Sequence, residues 1–383
     1  MSNFLKTFTN SLSSVFNKDT VDSVLGIDIG SSSIKVVQLK KKGGKAVLET
    51  YGALSLGPYN NMDIGMVTNL PTDILSKSLT DVLKESNTTT SDGALAIPSI
   101  ASLIFIISLP GNISESELAS IVPVEARKYV PVPIAEVSLD WWVLPNEEKI
   151  AAESLGSQAE SAAGAQSSSN SNVTEVLVVA IHNDTLSKYR ELLTSSNINS
   201  HFFEMEVFSA IRSSFNYELS PVLMMDFGAA KTKVTIIEYG IVKSFHIINR
   251  GSADITKNIS TALNVSFKEA ENLKRTTGLA SNINQSVANI VQVSVDYILS
   301  EANAIVLAYQ KKYNKSISKV ILIGGGSQTI NLLERVSQVF AVEVVYGDPF
   351  TKAEAPAFLE PILKQSGPEF ATAVGLALRQ ISS

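Results

Sequence analysis

Two octapeptides carry residue types suited to holding a polyphosphate. Asp28-Ile29-Gly30-Ser31-Ser32-Ser33-Ile34-Lys35 and Asp226-Phe227-Gly228-Ala229-Ala230-Lys231-Thr232-Lys233 share Asp at the first position, Gly at the third and Lys at the eighth. A turn of Gly and small residues lets backbone N–H groups approach phosphate oxygens, while an Asp at the end of the preceding strand holds Mg²⁺ directly or through water. The Lys supplies countercharge. Asp28 and Asp226 are thus the candidate metal ligands. Gly30, Ser31, Ser32, Ser33 and Lys35, with Gly228, Ala229, Ala230, Lys231 and Thr232, are the candidate phosphate contacts. Alone, either segment reads as an ordinary β-hairpin; two in register, 198 positions apart, read as a duplication in which two like-built domains face each other.

A third signal is the apolar strand running into Gly324-Gly325-Gly326-Ser327, where the lack of side chains lets a flat base or a phosphate lie against the backbone. Between it and the second octapeptide, Glu271 and Lys274 share a helix face by their i,i+3 spacing. They read either as a surface ion pair or, beside a nucleotide, as partners of ribose hydroxyls. Other chemistries are closed off. There is no cysteine, which excludes disulfides, thiol nucleophiles and thiolate metal sites. His182, His201 and His246 are too scattered for a histidine metal site or a Ser/His pair. A net charge of −6 argues against a dedicated nucleic-acid binder.

The elements that must position these residues follow from periodicity. Residues 24–27, 34–39 and 46–50 read as three strands, and 222–225, 234–239 and 241–247 as a second such set. Residues 70–85 form a helix capped near Thr72, residues 93–109 a strand region, and residues 114–127 a helix with acid in its first turn that Pro131 and Pro133 stop. Residues 176–181 read as a buried strand and 184–194 as a helix. Helices are expected over 255–262, 267–275 and 286–312, the last packing Val287, Ile290, Val291, Val295, Ile298, Ala302, Ile305, Val306 and Tyr309 into a core, and another over 329–340. Residues 146–175 lack an apolar period and read as a flexible loop. Residues 3–17 place Phe4, Phe8, Leu12, Val15 and Phe16 on one helical face, which packs on its own protein or touches a membrane or partner. With 383 residues, 45% of them hydrophobic, the chain favours packed subdomains around a cleft, and its start lacks the pattern of a secretory signal.

This order of motifs resembles the actin-like ATPase superfamily, which includes sugar kinases, the rod protein MreB and the division protein FtsA, over nearly the whole chain. The resemblance implies an α/β fold of duplicated ribonuclease H-like domains around a nucleotide cleft, with an FtsA-like inserted subdomain. It gives an amphipathic segment over 1–22, a first domain from 23–94 with 198–221 and 366–383, the insertion over 95–197 and a second domain over 222–365. It also makes residues 323–327 the adenosine motif, 203–212 the first connecting helix with Glu206 orienting an attacking water, and 370–378 the second connecting helix. Gly251 becomes a phosphate contact and Glu271 and Lys274 ribose contacts.

Within the superfamily, residues 108–117, 125–133 and 137–144 look like those of the PilM family of type IV pilus assembly, as does Asn249-Arg250-Gly251-Ser252. The family often has two glycines where this chain has Gly251-Ser252, and the 146–175 loop is longer than usual. The resemblance implies a cytoplasmic scaffold at the inner membrane, with ATP and Mg²⁺ as cofactors and at most slow hydrolysis. Its implied partners are the N-terminal tail of a PilN-like membrane protein, bound by strands over 95–109 and the helix over 117–129, and through it the pilus platform and motor. Self-association is allowed by the resemblance, and membrane contact is indirect or through the N-terminal segment. The alternatives are an FtsA-like membrane-tethered filament former, whose tether would lie at the opposite end of the chain, and a sugar kinase using Trp141 and Trp142.

Overall fold

The computed structural model describes residues 23–111, 113–144 and 173–382. The amphipathic segment over 3–17 and most of the 146–175 loop lie outside these residues. In chain order the strands are β1 (Ser23–Ile29), β2 (Ser33–Lys42), β3 (Lys45–Ser55), β4 (Asp92–Ile97), β5 (Ser102–Pro110), β6 (Val137–Val143), β7 (Val173–His182), β8 (Asn199–Met205), β9 (Val222–Phe227), β10 (Thr232–Glu238), β11 (Ile241–Ile248), β12 (Lys319–Ile323) and β13 (Glu343–Tyr346). The helices are α1 (Thr72–Glu85), α2 (Glu115–Ala126), α3 (Asn183–Ser195), α4 (Glu206–Ser214), α5 (Ser252–Leu263), α6 (Phe267–Thr277), α7 (Gln285–Tyr313), α8 (Leu332–Phe340) and α9 (Glu360–Ser382).

Two five-stranded sheets repeat one plan. Their orders are β3-β2-β1-β4-β8 and β11-β10-β9-β12-β13, each an antiparallel three-strand meander followed by two parallel strands. Covering both faces of a sheet makes its strands read as continuous apolar runs. Along β1, Leu25 and Ile27 face Leu75, Leu79 and Val82 of α1, while Val24 faces Phe370, Ala373 and Ala377 of α9. Gly26 makes the second contact possible, since a Cβ there would stand 1.9 Å from the Ala373 carbonyl oxygen. The second sheet buries Leu223, Met225, Val234 and Ile236 against Ile255 and Ile259 of α5 and the expected stripe of α7, from Val287 to Tyr309.

Residues 100–187 form a separate compact unit, and residues before 100 and after 187 form the other. The separate unit is an antiparallel sheet, β5-β7-β6, on which Leu118 and Val122 of α2 cover Ile107, Leu109, Val176 and Val178. Ser114 caps α2 in a reciprocal box with Glu117.

Several boundaries differ from the sequence reading. The insertion begins at 100 rather than 95 and ends at 187 rather than 197, because β4 pairs in the first sheet with β1 and β8. The strand region over 93–109 is two strands, broken at Pro98 by a 3-10 turn over Ser99–Ala101. Thr72 is the first residue of α1 and Pro71 its cap. Residues 203–205, expected in a helix, finish β8, where Phe203, Glu204 and Met205 pair with β4. The last Gly-rich segment coils into a 3-10 turn, so α8 starts at Leu332 after a left-handed Asn331 rather than at 329. Residues 173–175, expected in the loop, open β7.

Candidate functional site

The two octapeptides form matching turns. Asp28 lies directly opposite Lys35 across β1 and β2, and Asp226 opposite Lys233 across β9 and β10. In each turn the glycine N–H donates to the carbonyl three residues on: Gly30 to Ser33 and Gly228 to Lys231, both at 3.0 Å. A Cβ on Gly228 would come within 2.8 Å of that Lys231 oxygen, which is why the third position is glycine.

In the first turn the carbonyls of Ser31, Ser32 and Ser33 accept from the N–H groups of Thr68, Leu56 and Gly30. The turn thus offers a ligand hydroxyls and amides rather than carbonyls. In the second, the Gly228 and Ala229 carbonyls accept from the first amides of α5, at Ser252 and Ala253. Lys231 donates to Asn249 Oδ1 at 2.5 Å and Thr232 to the Arg250 carbonyl at 2.9 Å. Gly251, expected to touch phosphate, gives its N–H to Asp254, and a Cβ there would stand 2.2 Å from the Ala229 oxygen. Its role here is to let α5 close on the hairpin.

The carboxylates divide unequally. Lys233 Nζ donates to Asp226 Oδ2 at 2.8 Å and to Glu206 Oε2 at 2.7 Å, and Glu206 Oε1 accepts the Ser99 N–H at 2.7 Å. Burial works against the Lys233 ammonium, yet Asp226 and Glu206 outweigh it and hold its pKa above the ordinary lysine value. The Asp28 carboxylate has no hydrogen bond or ion pair among the described residues. Burial, opposed by Lys35 and reinforced by Glu206, raises its pKa from 3.8 to about 6. Glu206, at the first position of α4, therefore enters as an ion-paired group rather than a free base.

Glu271 and Lys274 are buried and do not form an exposed surface pair. Glu271 Oε2 accepts from Thr256 at 2.6 Å and Lys274 at 2.7 Å, and Oε1 from Arg275 at 2.8 Å. Lys274 spends its three donors on Glu271, Thr256 and the Ser252 carbonyl, tying α6 to α5. Burial disfavours the Glu271 charge, but these partners overcome it and its pKa falls below the usual range. Gly65, at φ +90°, lies against the Glu271 carboxylate, so the segment that hydrogen-bonds Ser31 through Thr68 also reaches α6.

After β12, Gly324 takes φ +83°, and a Cβ would meet Asp226 Oδ1 at 2.3 Å. Gly326 likewise fits against the Phe227 carbonyl, and Ser327 folds its hydroxyl onto the Gly324 oxygen at 2.7 Å. A Cβ on Gly325 would have only Glu369 Oε2 within 4 Å, so the space beside this glycine is open. Among the described residues no group of three His, Asp or Glu could hold a metal by itself. One unpaired carboxylate beside a phosphate-sized turn suits Mg²⁺, which keeps several waters and takes one or two carboxylates plus phosphate oxygens. Sequence reasoning missed Ser99, whose contribution is a main-chain N–H carrying no side-chain signal, and Thr68, which gives the Ser31 carbonyl both its N–H and its hydroxyl.

The sequence matches the type IV pilus assembly protein PilM family over residues 26–155 and 162–381. Among solved structures, a PilM-PilN type IV pilus biogenesis complex is similar, with a TM-score of 0.77 at 21% identity, covering 95% of this chain and 100% of that one. The ethanolamine utilization protein EutJ from Carboxydothermus hydrogenoformans follows at TM-score 0.51 and 14% identity, with 98% and 99% covered. MreB 5 of Spiroplasma citri bound to AMPPNP gives 0.50 at 11% identity, with 93% and 95% covered. The repeated sheet plan and these likenesses make this an actin-like ATPase fold, and the chain belongs to the type IV pilus assembly protein PilM family.

Proposed function

We propose that this chain is an ATP-binding scaffold at the cytoplasmic face of the inner membrane, which receives the N-terminal tail of a PilN-like membrane protein. The carrying observation is the pair of turns in identical register, each with Asp opposite Lys and a glycine N–H closing the loop. Support for the ligand comes from the MreB relative solved with AMPPNP, and for the partner from the PilM relative solved with PilN. Gly30 to Ser33 and Gly228 to Lys231 would receive the phosphates, Lys35 the countercharge, and Gly324 to Ser327 the base. Asp28, unpaired, would hold Mg²⁺; Asp226 is paired with Lys233 before a ligand arrives. Bound Mg²⁺ would neutralise the phosphate charge.

Glu271 and Lys274 act in this reading by fixing α6 to α5 beside the site, since their polar atoms are already taken. Glu206 is the positioned candidate for guiding water, and its ion pair with Lys233 suits slow turnover at most. For the tail, β5 is an edge strand of its sheet, a place where an extended peptide can add by main-chain pairing. Calorimetric titration with Mg-ATP and then with a synthetic PilN tail tests both halves. Binding of each is expected; no heat with ATP overturns the nucleotide reading, and no heat with peptide overturns the partner reading.

A further inference from the structure

The inserted unit leaves the body of the protein at two points in the chain, after Ser99 and before Lys188. The first leads to a buried carboxylate. At the outgoing point, Glu206 Oε1 accepts the Ser99 N–H, and its other oxygen holds Lys233 of the second hairpin. At the returning point, Tyr189 packs on the apolar cluster of the first sheet. Burial, then the charges of Glu206 and Asp28, push its phenol up to about 12. Three elements distant in sequence thus converge: β10 through Lys233, the N-terminus of α4 through Glu206, and the exit of the insertion through Ser99.

Lys233 is a second charge, after Lys35, that an arriving polyphosphate would draw on, because it stands on the strand that closes the second turn. Glu206 is only 8% exposed, so water cannot replace a lysine that turns toward phosphate. The carboxylate must then change its hold on its remaining donor, the Ser99 amide. A ligand shifts a conformational equilibrium only through contacts that differ between the states, and Lys233 supplies that difference here. Resting on the ATP reading above, we propose that nucleotide occupancy is relayed to the inserted unit through the Lys233–Glu206–Ser99 bridge. Glu206 acts in this as a positioning residue, linking the phosphate hairpin to the root of the insertion.

The protein contains its own reporter. Its two tryptophans, Trp141 and Trp142, both lie on β6 within the inserted unit, so tryptophan emission excited at 295 nm arises there alone. Calorimetry on the same samples separates binding from relay. In the unaltered chain, Mg-ATP is expected to shift the emission along the calorimetric saturation curve. Ser99→Pro removes the bridging N–H at the first residue of a 3-10 turn, where proline is tolerated, and should bind ATP with unchanged affinity but lose the emission shift. Glu206→Gln keeps an acceptor for Ser99 but not the ion pair, and should lose the shift at saturating ATP. ATP binding without an emission change in the unaltered chain, or a full shift in Ser99→Pro, overturns the relay. Absence of calorimetric binding in the unaltered chain overturns the nucleotide reading itself, a separate result.

Discussion

Replacing Asp28 by Asn should make the ligand-free protein more stable while abolishing its use of Mg-ATP. The native carboxyl ionises near pH 6 against 3.8 for an ordinary aspartate, because burial outweighs the help of Lys35. Above pH 6 the group is ionised in both folded and unfolded chains, and the folded state bears the full cost. Below about pH 4 it is protonated in both and costs nothing. A gap of about two pH units, at 1.36 kcal/mol each, is about 3 kcal/mol. Asp28→Asn should therefore raise the melting temperature by roughly 5 °C at pH 7.5. The gain should shrink steadily between pH 6 and 4 and vanish below. At pH 7.5 the same variant should show no calorimetric heat with Mg-ATP, since the amide cannot hold the cation. Binding by the unaltered chain should weaken as pH falls below 6. A variant less stable than the parent at pH 7.5, or a stability difference that ignores pH, would refute the assignment of Asp28 as an unpaired, desolvated carboxylate.

Gly375→Ala should cost about 2–3 kcal/mol in urea unfolding, because its Cβ would fall 1.8 Å from the Ser209 carbonyl and force α4 and α9 apart. Lys233→Met strands Glu206 and Asp226 as uncompensated carboxylates and should cost about 3–5 kcal/mol, partly recovered when Glu206→Gln is added. Glu204 is fully enclosed by Ser209, Arg212 and Arg379, so Glu204→Ala should cost a similar ~3–5 kcal/mol by taking the carboxylate away from both arginines, read by thermal melting. Lys45→Ala, which removes an exposed pair with Glu354, should leave the melting midpoint unchanged at physiological salt.

Periodicity and turn chemistry were enough to find the repeated meander, because an Asp, a Gly and a Lys at fixed offsets between apolar strands leave few other structures for the backbone. The core stripe of α7 was equally legible, since burial of one helical face writes its 3.6-residue period directly into residue types. Element ends were less so: Phe203-Glu204-Met205 reads as helix or strand until β4 supplies the pairing partner. The states of the site residues belong wholly to the tertiary structure. Asp28 and Asp226 are interchangeable as letters, yet Lys233 reaches one and leaves the other bare, because α4 brings Glu206 to the second hairpin. Glu271 and Lys274 carry the spacing of a surface pair, and only the closure of α6 on α5 turns them into a buried knot with Thr256. The Ser99 amide had no sequence signal at all, since every residue but proline has one, and what gives it a role is the carboxylate that folding sets 2.7 Å away.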